Sequence, residues 1–182
     1  MVGLGAVLIV IFSGGSGEGA VAGGPLACPD CQSGASMPMG VGDKGTYGAA
    51  DLQNRSQEPA VLDHVEFVGV SPGLRLLGPL VSRRGDRPFE GVGLIRQFPP
   101  PGLEGALHPL HGYRVLPFHG LADYVTILVG VSPLRKGKLA YRKLRLYYSV
   151  GDERYVTTFD IGLRVCAPAS VPLARCPTPV SD

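Results

Sequence analysis

Alternating apolar and polar positions in the second half of the chain predict a series of β-strands. The alternation runs from Asp123 to Val131 and again from Leu139 to Val150. Gly151-Asp152 then predicts a turn into a strand over Arg154 to Phe159, and a last strand leads from Phe159 to Cys166. Because successive side chains of a strand point to opposite faces, a period of two indicates strands with one buried face.

The first half of the domain shows the same pattern less regularly. Residues Ala60 to Val70 alternate imperfectly, at a period nearer to two than to 3.6. The SPGL sequence at Ser71 to Leu74 predicts a turn, followed by a strand over Leu74 to Val81. The polar segment Ser82 to Pro88 closes that strand as a loop.

A proline-rich segment separates the two halves, from Gln97 to Gly120. Its five prolines are incompatible with a long helix and are poor in a central strand. We therefore expect a long excursion here, with one short strand at Tyr113 to Leu116.

These patterns together predict an all-β fold. Seven to nine short strands without amphipathic helices are typical of an antiparallel β-sandwich, most of all an immunoglobulin-like one. A small barrel is the alternative. A purely parallel sheet is excluded, because it needs crossover helices that the sequence does not provide.

The N-terminus is an uncharged apolar run, MVGLGAVLIVIF, which gives way to glycine and serine at Ser13. A run of about a dozen apolar residues fits a signal-peptide core and is short for a membrane span. Ala20-Val21-Ala22 matches an A-x-A cleavage signal, so residues 1–22 are interpreted as a signal peptide or a truncated membrane anchor. A lipoprotein site at Cys28 is disfavoured by Pro25 and by the distance from the apolar run.

Composition sets the remaining boundaries. Residues 23–44 consist mainly of glycine, serine, alanine and proline, which predicts a flexible linker. A β-sandwich domain is expected over 45–168, with a C-terminal tail over 169–182. The formal net charge of the 182 residues is only +2, and basic and acidic residues are interspersed. This balance gives no electrostatic basis for binding nucleic acid.

Four cysteines in an exported chain favour disulfide bonds. Local pairing, Cys28 with Cys31 and Cys166 with Cys176, closes two short loops, and the second would hold the tail to the last strand. A redox role for the CPDC sequence is disfavoured, because no helix follows it to lower the pKa of the first thiol. A zinc ribbon would need a second closely spaced pair.

Soft ligands near the first cysteine pair suggest an exported copper or zinc protein as an alternative, since thiolates and thioethers favour Cu(I). The candidate ligands are Cys28, Cys31, Met37, Met39, His108, His111 and His119. Their spacing does not predict a shared site, and surface histidines with linker methionines are the simpler interpretation. His64 is expected on an exposed or capped position of a strand.

Three segments resemble an uncharacterised family of small membrane-anchored or exported proteins from high-GC bacteria. They are PAVLDHVEFVGVSPGLRLLG at Pro59 to Gly78, FPPPG at Phe98 to Gly102, and RKLRLYYSVGDERY through LRVCAP, ending at Pro168. The resemblance covers roughly residues 45–177. It implies an extracytoplasmic immunoglobulin-like domain behind one N-terminal apolar segment, and it implies no activity. Members begin with a basic region and a longer apolar segment, which this chain lacks.

The sequence favours a non-catalytic module. No G-x-S-x-G elbow or P-loop pattern occurs, and no spacing groups serine, histidine and aspartate into a triad. We therefore expect an extracytoplasmic binding or structural module without a cofactor, whose partner is an unknown protein of the cell envelope. Membrane contact would come through the N-terminal segment. A metal carrier and a small exported hydrolase are the alternatives.

Overall fold

The computed structural model describes residues 20–31, 34–85 and 93–178. Within these ranges the strands are β1 (Val21–Ala22), β2 (Leu26–Ala27), β3 (Ala35–Pro38), β4 (Gly45–Asn54), β5 (Ala60–Val68), β6 (Leu74–Arg83), β7 (Leu94–Ile95), β8 (His108–Pro109), β9 (Arg114–Val115), β10 (Val125–Pro133), β11 (Gly137–Tyr141), β12 (Lys143–Val150), β13 (Glu153–Phe159) and β14 (Leu163–Ala167). Three short 3₁₀ helices cover Glu104–Ala106, Leu121–Asp123 and Leu173–Arg175.

The strands form three sheets. The first sheet has the order β1-β13-β12-β5-β9, and the second has the order β2-β4-β10-β6-β8, with β7 also paired to β4. The third sheet is β11-β14-β3. Pairing is antiparallel except where β1 joins β13 and where β14 joins β3.

The predicted all-β class is confirmed: the described chain consists of mainly antiparallel sheets that share one core. The core joins buried residues of the first sheet, such as Leu62 and Leu146, to buried residues of the second, such as Leu52 and Ile127. Strands of two to four residues aside, eight described strands have five residues or more, which agrees with the seven to nine expected.

One predicted strand is two strands in the structure. The alternation over Leu139 to Val150 is interrupted at Arg142, whose backbone N–H donates to the carbonyl oxygen of Val68 at 2.8 Å. β11 before this point belongs to the third sheet, whereas β12 after it pairs with β5 and β13. The buried positions change phase at this point, from Leu139 and Tyr141 in β11 to Leu144 and Leu146 in β12, so the change of sheet coincides with two consecutive residues outside the core, Arg142 and Lys143.

The predicted linker over residues 23–44 is wrong for most of its length. β2 pairs with β4 and β3 pairs with β14, so this segment belongs to two sheets. Leu26, Met37 and Met39 are buried in the core. Small residues make this possible: a Cβ atom on Gly45 would lie only 3.0 Å from the terminal methyl of Met39. The packed domain therefore begins well before residue 45.

The start of the proline-rich excursion packs against the second sheet. The Thr46 hydroxyl of β4 donates to the carbonyl oxygen of Gln97 at 2.5 Å, and β7 extends the sheet beside β4. Phe98 lies over β10, where a Cβ atom on Gly130 would be 2.6 Å from its ring. This cover explains why every residue of β10 is buried.

Candidate functional site

A shallow groove of about 670 Å³ crosses the outer face of the first sheet. We call it the sheet groove. It is lined by side chains from three neighbouring strands, β5, β12 and β13, and by the loop that precedes β9. The residues that define it are Val61, Asp63, His64, Glu66, His111, Tyr147, Ser149, Arg154 and Tyr155. Alternation along β5 and β12 turns Glu66, Tyr147 and Ser149 outward. The intervening residues Leu62 and Tyr148 are buried.

A stacked aromatic pair forms the centre of the sheet groove. His64 and Tyr147 are direct partners in the ladder between β5 and β12. Their ring centroids are 4.2 Å apart and their planes differ by 8°. Cross-strand neighbours on one face are close enough for such contact, which stabilises the pairing of the strands. The pair presents an apolar ring surface bordered by hydrogen-bonding atoms.

Glu66 fixes the tyrosine side of the pair. Its Oε2 atom accepts a hydrogen bond from the Tyr147 hydroxyl at 3.0 Å and another from Nη1 of Arg145 at 3.1 Å. Contact with Tyr147, and then with Glu66, raises the pKa of Arg145. Hydrogen bonds that involve ionised groups are stronger than neutral ones. The Tyr147 ring is therefore held at both its face and its hydroxyl.

Asp63 connects the histidine side of the pair to the loop before β9. The ladder shifts by one residue between Tyr147 and Tyr148, so Asp63 is the extra residue of a β-bulge. Bulges redirect side chains. The two carboxylate oxygens of Asp63 lie 3.1 Å from Nδ1 of His64 and 3.3 Å from Nδ1 of His111.

Backbone hydrogen bonds hold the His111 loop in place. The N–H of Gly112 donates to the carbonyl oxygen of Leu62 at 2.8 Å, and the N–H of Leu62 donates to the carbonyl oxygen of Tyr113 at 2.9 Å. The polar chain from His111 through Asp63, His64 and Tyr147 to Glu66 is thus supported by β-structure at each end. It combines two carboxylates with three aromatic rings, two of which are imidazoles, on an open sheet face.

Both predicted cysteine pairs are disulfides in the structure. Cys166 joins Cys176 and Cys28 joins Cys31. The expectation that Cys28 and Cys31 lie in a linker is wrong, since Cys31 is only 7% exposed and belongs to the core. As disulfides, these four sulfur atoms are not thiolate ligands for a metal.

The remaining metal candidates lie in different places. Met37 and Met39 are buried core residues packed against Gly45. His108 contacts the ring of Tyr113, and the backbone N–H of His119 donates to Asp123. Only His111 reaches the sheet groove. The described ranges contain no group of three or more histidine, cysteine, aspartate or glutamate residues placed to hold a metal ion.

The residues at the centre of the groove could be only partly anticipated from the sequence. The sequence predicts His64 at an exposed or capped position of a strand, and Tyr147 lies within the predicted strand over Leu139 to Val150. Alternation does not give the register between β5 and β12, and only that register makes the two rings neighbours. The bulge at Asp63 has no signal in the local sequence.

Comparisons with known proteins add no family. The chain matches no protein-family model and no curated protein. Among solved structures it is similar to the ASH/PapD-like domain 7 of human CEP192, at 10% identity and a TM-score of 0.41, over 81% of this chain and 87% of that one. It is also similar to the VesB protease of Vibrio cholerae, at 10% identity and a TM-score of 0.36, over 76% of this chain and 31% of that one. Likenesses at this level do not bear on function.

The described segments contain three short 3₁₀ helices. None of their helices is long and apolar enough to cross a bilayer. The predicted signal peptide or anchor lies outside the described residues, apart from Ala20 and the two residues of β1.

Proposed function

We propose that this protein is a non-catalytic binding module of the cell envelope, and that the sheet groove binds its protein partner. The observation that carries the proposal is the His64–Tyr147 stack, held between Asp63 and Glu66 on an open sheet face. Aromatic side chains with a polar atom contribute strongly to protein interfaces. Because these rings are already ordered, little side-chain entropy is lost on binding.

An extracytoplasmic location is part of the proposal and is supported by the disulfides. Two disulfide bonds use all four cysteines of the chain. Disulfides persist in oxidising compartments and are rare in the cytosol. The apolar N-terminal run is consistent with export, and the partner is accordingly proposed to be another envelope protein.

Site-specific photo-crosslinking in intact cells tests the proposal. A photoreactive residue is placed at Ser149, which lines the sheet groove, and in a matched protein at Arg96, which is exposed beside the second sheet. We expect a discrete adduct from position 149 and none from position 96. The double substitution His64→Ala and Tyr147→Ala should remove that adduct, with the thermal unfolding midpoint checked to show that the fold is retained.

Two results would contradict the proposal. One is an adduct of equal yield from both positions, which indicates non-specific proximity. The other is an adduct from position 149 that persists in the double variant, which means that the stacked pair does not contribute to binding.

A further inference from the structure

Three loops meet at one end of the sandwich, and none of their residues lines the sheet groove. They are residues 40–44 between β3 and β4, residues 69–73 between β5 and β6, and residues 134–136 between β10 and β11. Two backbone bonds join them: the N–H of Gly42 donates to the Pro133 oxygen at 2.7 Å, and the N–H of Leu134 donates to the Gly73 oxygen at 2.8 Å. We call these three loops and the adjoining strand residues the loop end.

Each loop of the loop end exposes one large aliphatic side chain. Val41 is 47% exposed, Val70 is 37% exposed and Leu134 is 51% exposed. Single exposed aliphatic residues are common on protein surfaces. We call these three side chains, which stand on loops joined by backbone hydrogen bonds, the apolar tip.

Basic residues lie on the same loops and on the strand ends beside them. The loop end carries six exposed cationic side chains, at Lys44, Arg75, Arg135, Lys136, Lys138 and Arg142. Asp43 is the one carboxylate on the loops, and it accepts the N–H of Gly40 at 2.8 Å. A further carboxylate nearby, Asp160, is paired with Lys143 at 2.7 Å.

Charge is therefore concentrated at this end of the molecule. Six cations against one carboxylate give the loop end a formal charge of +5, whereas the whole sequence has a net charge of +2. The rest of the chain consequently carries a formal charge of −3. Sequence order conceals this separation, because the six cations come from four segments.

The loop end is a formed surface. Nε of Arg135 donates to the Pro72 oxygen at 2.9 Å, which ties the third loop to the second. Gly73, at φ +88, allows the close approach, since a Cβ atom there would lie 2.8 Å from the Arg135 side chain. Gly69 makes a similar approach to Arg142, at 3.1 Å. The aliphatic tips are thus held in place by the loops that carry them.

We propose that the loop end docks on the surface of an anionic lipid membrane. Apolar side chains flanked by lysine and arginine bind at the boundary between headgroups and acyl chains, where burial of apolar area and attraction to anionic lipids act together. A soluble polyanion would pair with the cations and leave the three aliphatic side chains in water. This surface is independent of the proposed function, because it shares no residue with the sheet groove. The lining of the groove extends along β5 only as far as Glu66, and along β12 it begins at Tyr147.

Vesicle co-sedimentation of the full chain tests this proposal. The probes are vesicles of phosphatidylcholine alone and vesicles in which roughly a third of the lipid is phosphatidylglycerol. We expect binding to the anionic vesicles that weakens as salt is raised, because surface charges are screened. The double variant Lys136→Glu and Lys138→Glu should bind them roughly tenfold or more weakly. The triple variant Val41→Ser, Val70→Ser and Leu134→Ser should lose a similar factor.

A control variant separates docking by the loop end from contact by other apolar positions. Leu116→Ser with Leu121→Ser removes two exposed aliphatic residues, 46% and 65% exposed, that lie outside these loops, and it should bind like the unaltered chain. The N-terminal apolar run is present in every variant, so differences in vesicle binding between variants report on the altered positions. Unfolding midpoints within error of the unaltered chain establish that all variants are folded.

Three outcomes would overturn the proposal. Equal binding to neutral and anionic vesicles, or binding unchanged in the triple variant, shows that the loop end is not the docking surface. Binding to soluble polyphosphate that matches binding to vesicles and is indifferent to the triple variant shows a polyanion site instead. A dimer in solution that the triple variant dissociates shows that the loop end joins two copies of the chain.

Discussion

Tyr47 and Tyr141 belong to one buried core cluster, and neither hydroxyl group has a hydrogen-bond partner among the described residues. Both side chains are fully buried, Tyr47 on β4 and Tyr141 at the end of β11. Burying a hydroxyl group without a partner costs free energy. The core therefore contains two unpartnered hydroxyl groups, one from β4 of the second sheet and one from β11 of the third.

Removing either hydroxyl should not weaken the fold. Tyr47→Phe and Tyr141→Phe are each expected to leave the free energy of unfolding unchanged or to raise it by up to about 1 kcal/mol, because a desolvated group without a partner is lost and ring volume is kept. Urea unfolding followed by circular dichroism measures this. The comparison variant is Tyr148→Phe. The Tyr148 hydroxyl donates to the Gly23 oxygen at 3.1 Å, so its removal should lower the free energy of unfolding. A loss of 1 kcal/mol or more at Tyr47 or Tyr141 would show that the hydroxyl is bonded.

The same pair predicts the alkaline limit of stability. Burial raises the pKa of Tyr47 to about 12 and raises that of Tyr141 well above its ordinary value. A folded-state pKa above the unfolded value of 10.0 gives stability that is complete below pH 10 and is lost as the pH rises toward 12 and beyond. Unfolding should therefore become progressively easier from pH 10 upward. The double phenylalanine variant should lose much less stability over this interval, and identical profiles would contradict the assignment.

A buried polar pair across β4 and β10 gives the opposite expectation. Asp51 and Thr126 are ladder partners, and the threonine hydroxyl donates to the carboxylate at 2.5 Å. Thr126→Val keeps the shape and leaves the carboxylate without this bond, so the free energy of unfolding should fall by about 1–3 kcal/mol. Thr158→Val, at an exposed position of β13, is the matched control and should change stability by less than about 0.5 kcal/mol. Equal effects at the two positions would contradict the pairing.

The cover over β10 can be tested at one glycine. A Cβ atom on Gly130 would lie 2.6 Å from the ring of Phe98 and 2.7 Å from Leu77. Gly130→Ala is therefore expected to destabilise the protein by about 1–3 kcal/mol through overpacking. Gly78→Ala, in β6, meets nothing within 4 Å and should be neutral or mildly stabilising. Thermal unfolding of the two variants decides the matter, and a tolerated alanine at 130 would mean that Phe98 does not lie on the strand.

The second disulfide should contribute measurably to stability. Cys166 and Cys176 are separated by ten residues, and both are 1% exposed. By the chain-entropy model such a loop is stabilised by about 2–3 kcal/mol. The double variant Cys166→Ser and Cys176→Ser should lose at least this amount, as measured by urea unfolding under oxidising conditions. Reductant should lower the stability of the unaltered chain by more than that of the variant, which keeps only the Cys28–Cys31 disulfide. A variant as stable as the unaltered chain would exclude a structural role for the Cys166–Cys176 disulfide.

The sequence by itself determined the features that depend on local order. Alternation located β10 closely, and alternation together with turn signals located β5, β6 and β13. Local pairing of an even number of cysteines indicated both disulfides. Two-residue periodicity reports only that a strand has one buried face, so it says nothing of the strand's partner. The periodicity missed β4, because its sequence GTYGAADLQN buries mainly small and polar residues and has no apolar alternation. The predicted strand over Leu139 to Val150 spans a change of phase at Arg142.

Only the tertiary structure decided which distant residues meet. Composition predicted a linker over 23–44, yet Leu26, Met37 and Met39 enter the core because β4 and β14 offer free edges to β2 and β3. The register between β5 and β12, with one bulge, places the ring of His64 against that of Tyr147. The hydrogen bonds between the loops of the loop end bring together cationic residues from four segments of the chain. Such contacts join residues far apart in the chain, and their energy depends on strand pairing and burial, neither of which is encoded within a short stretch of sequence.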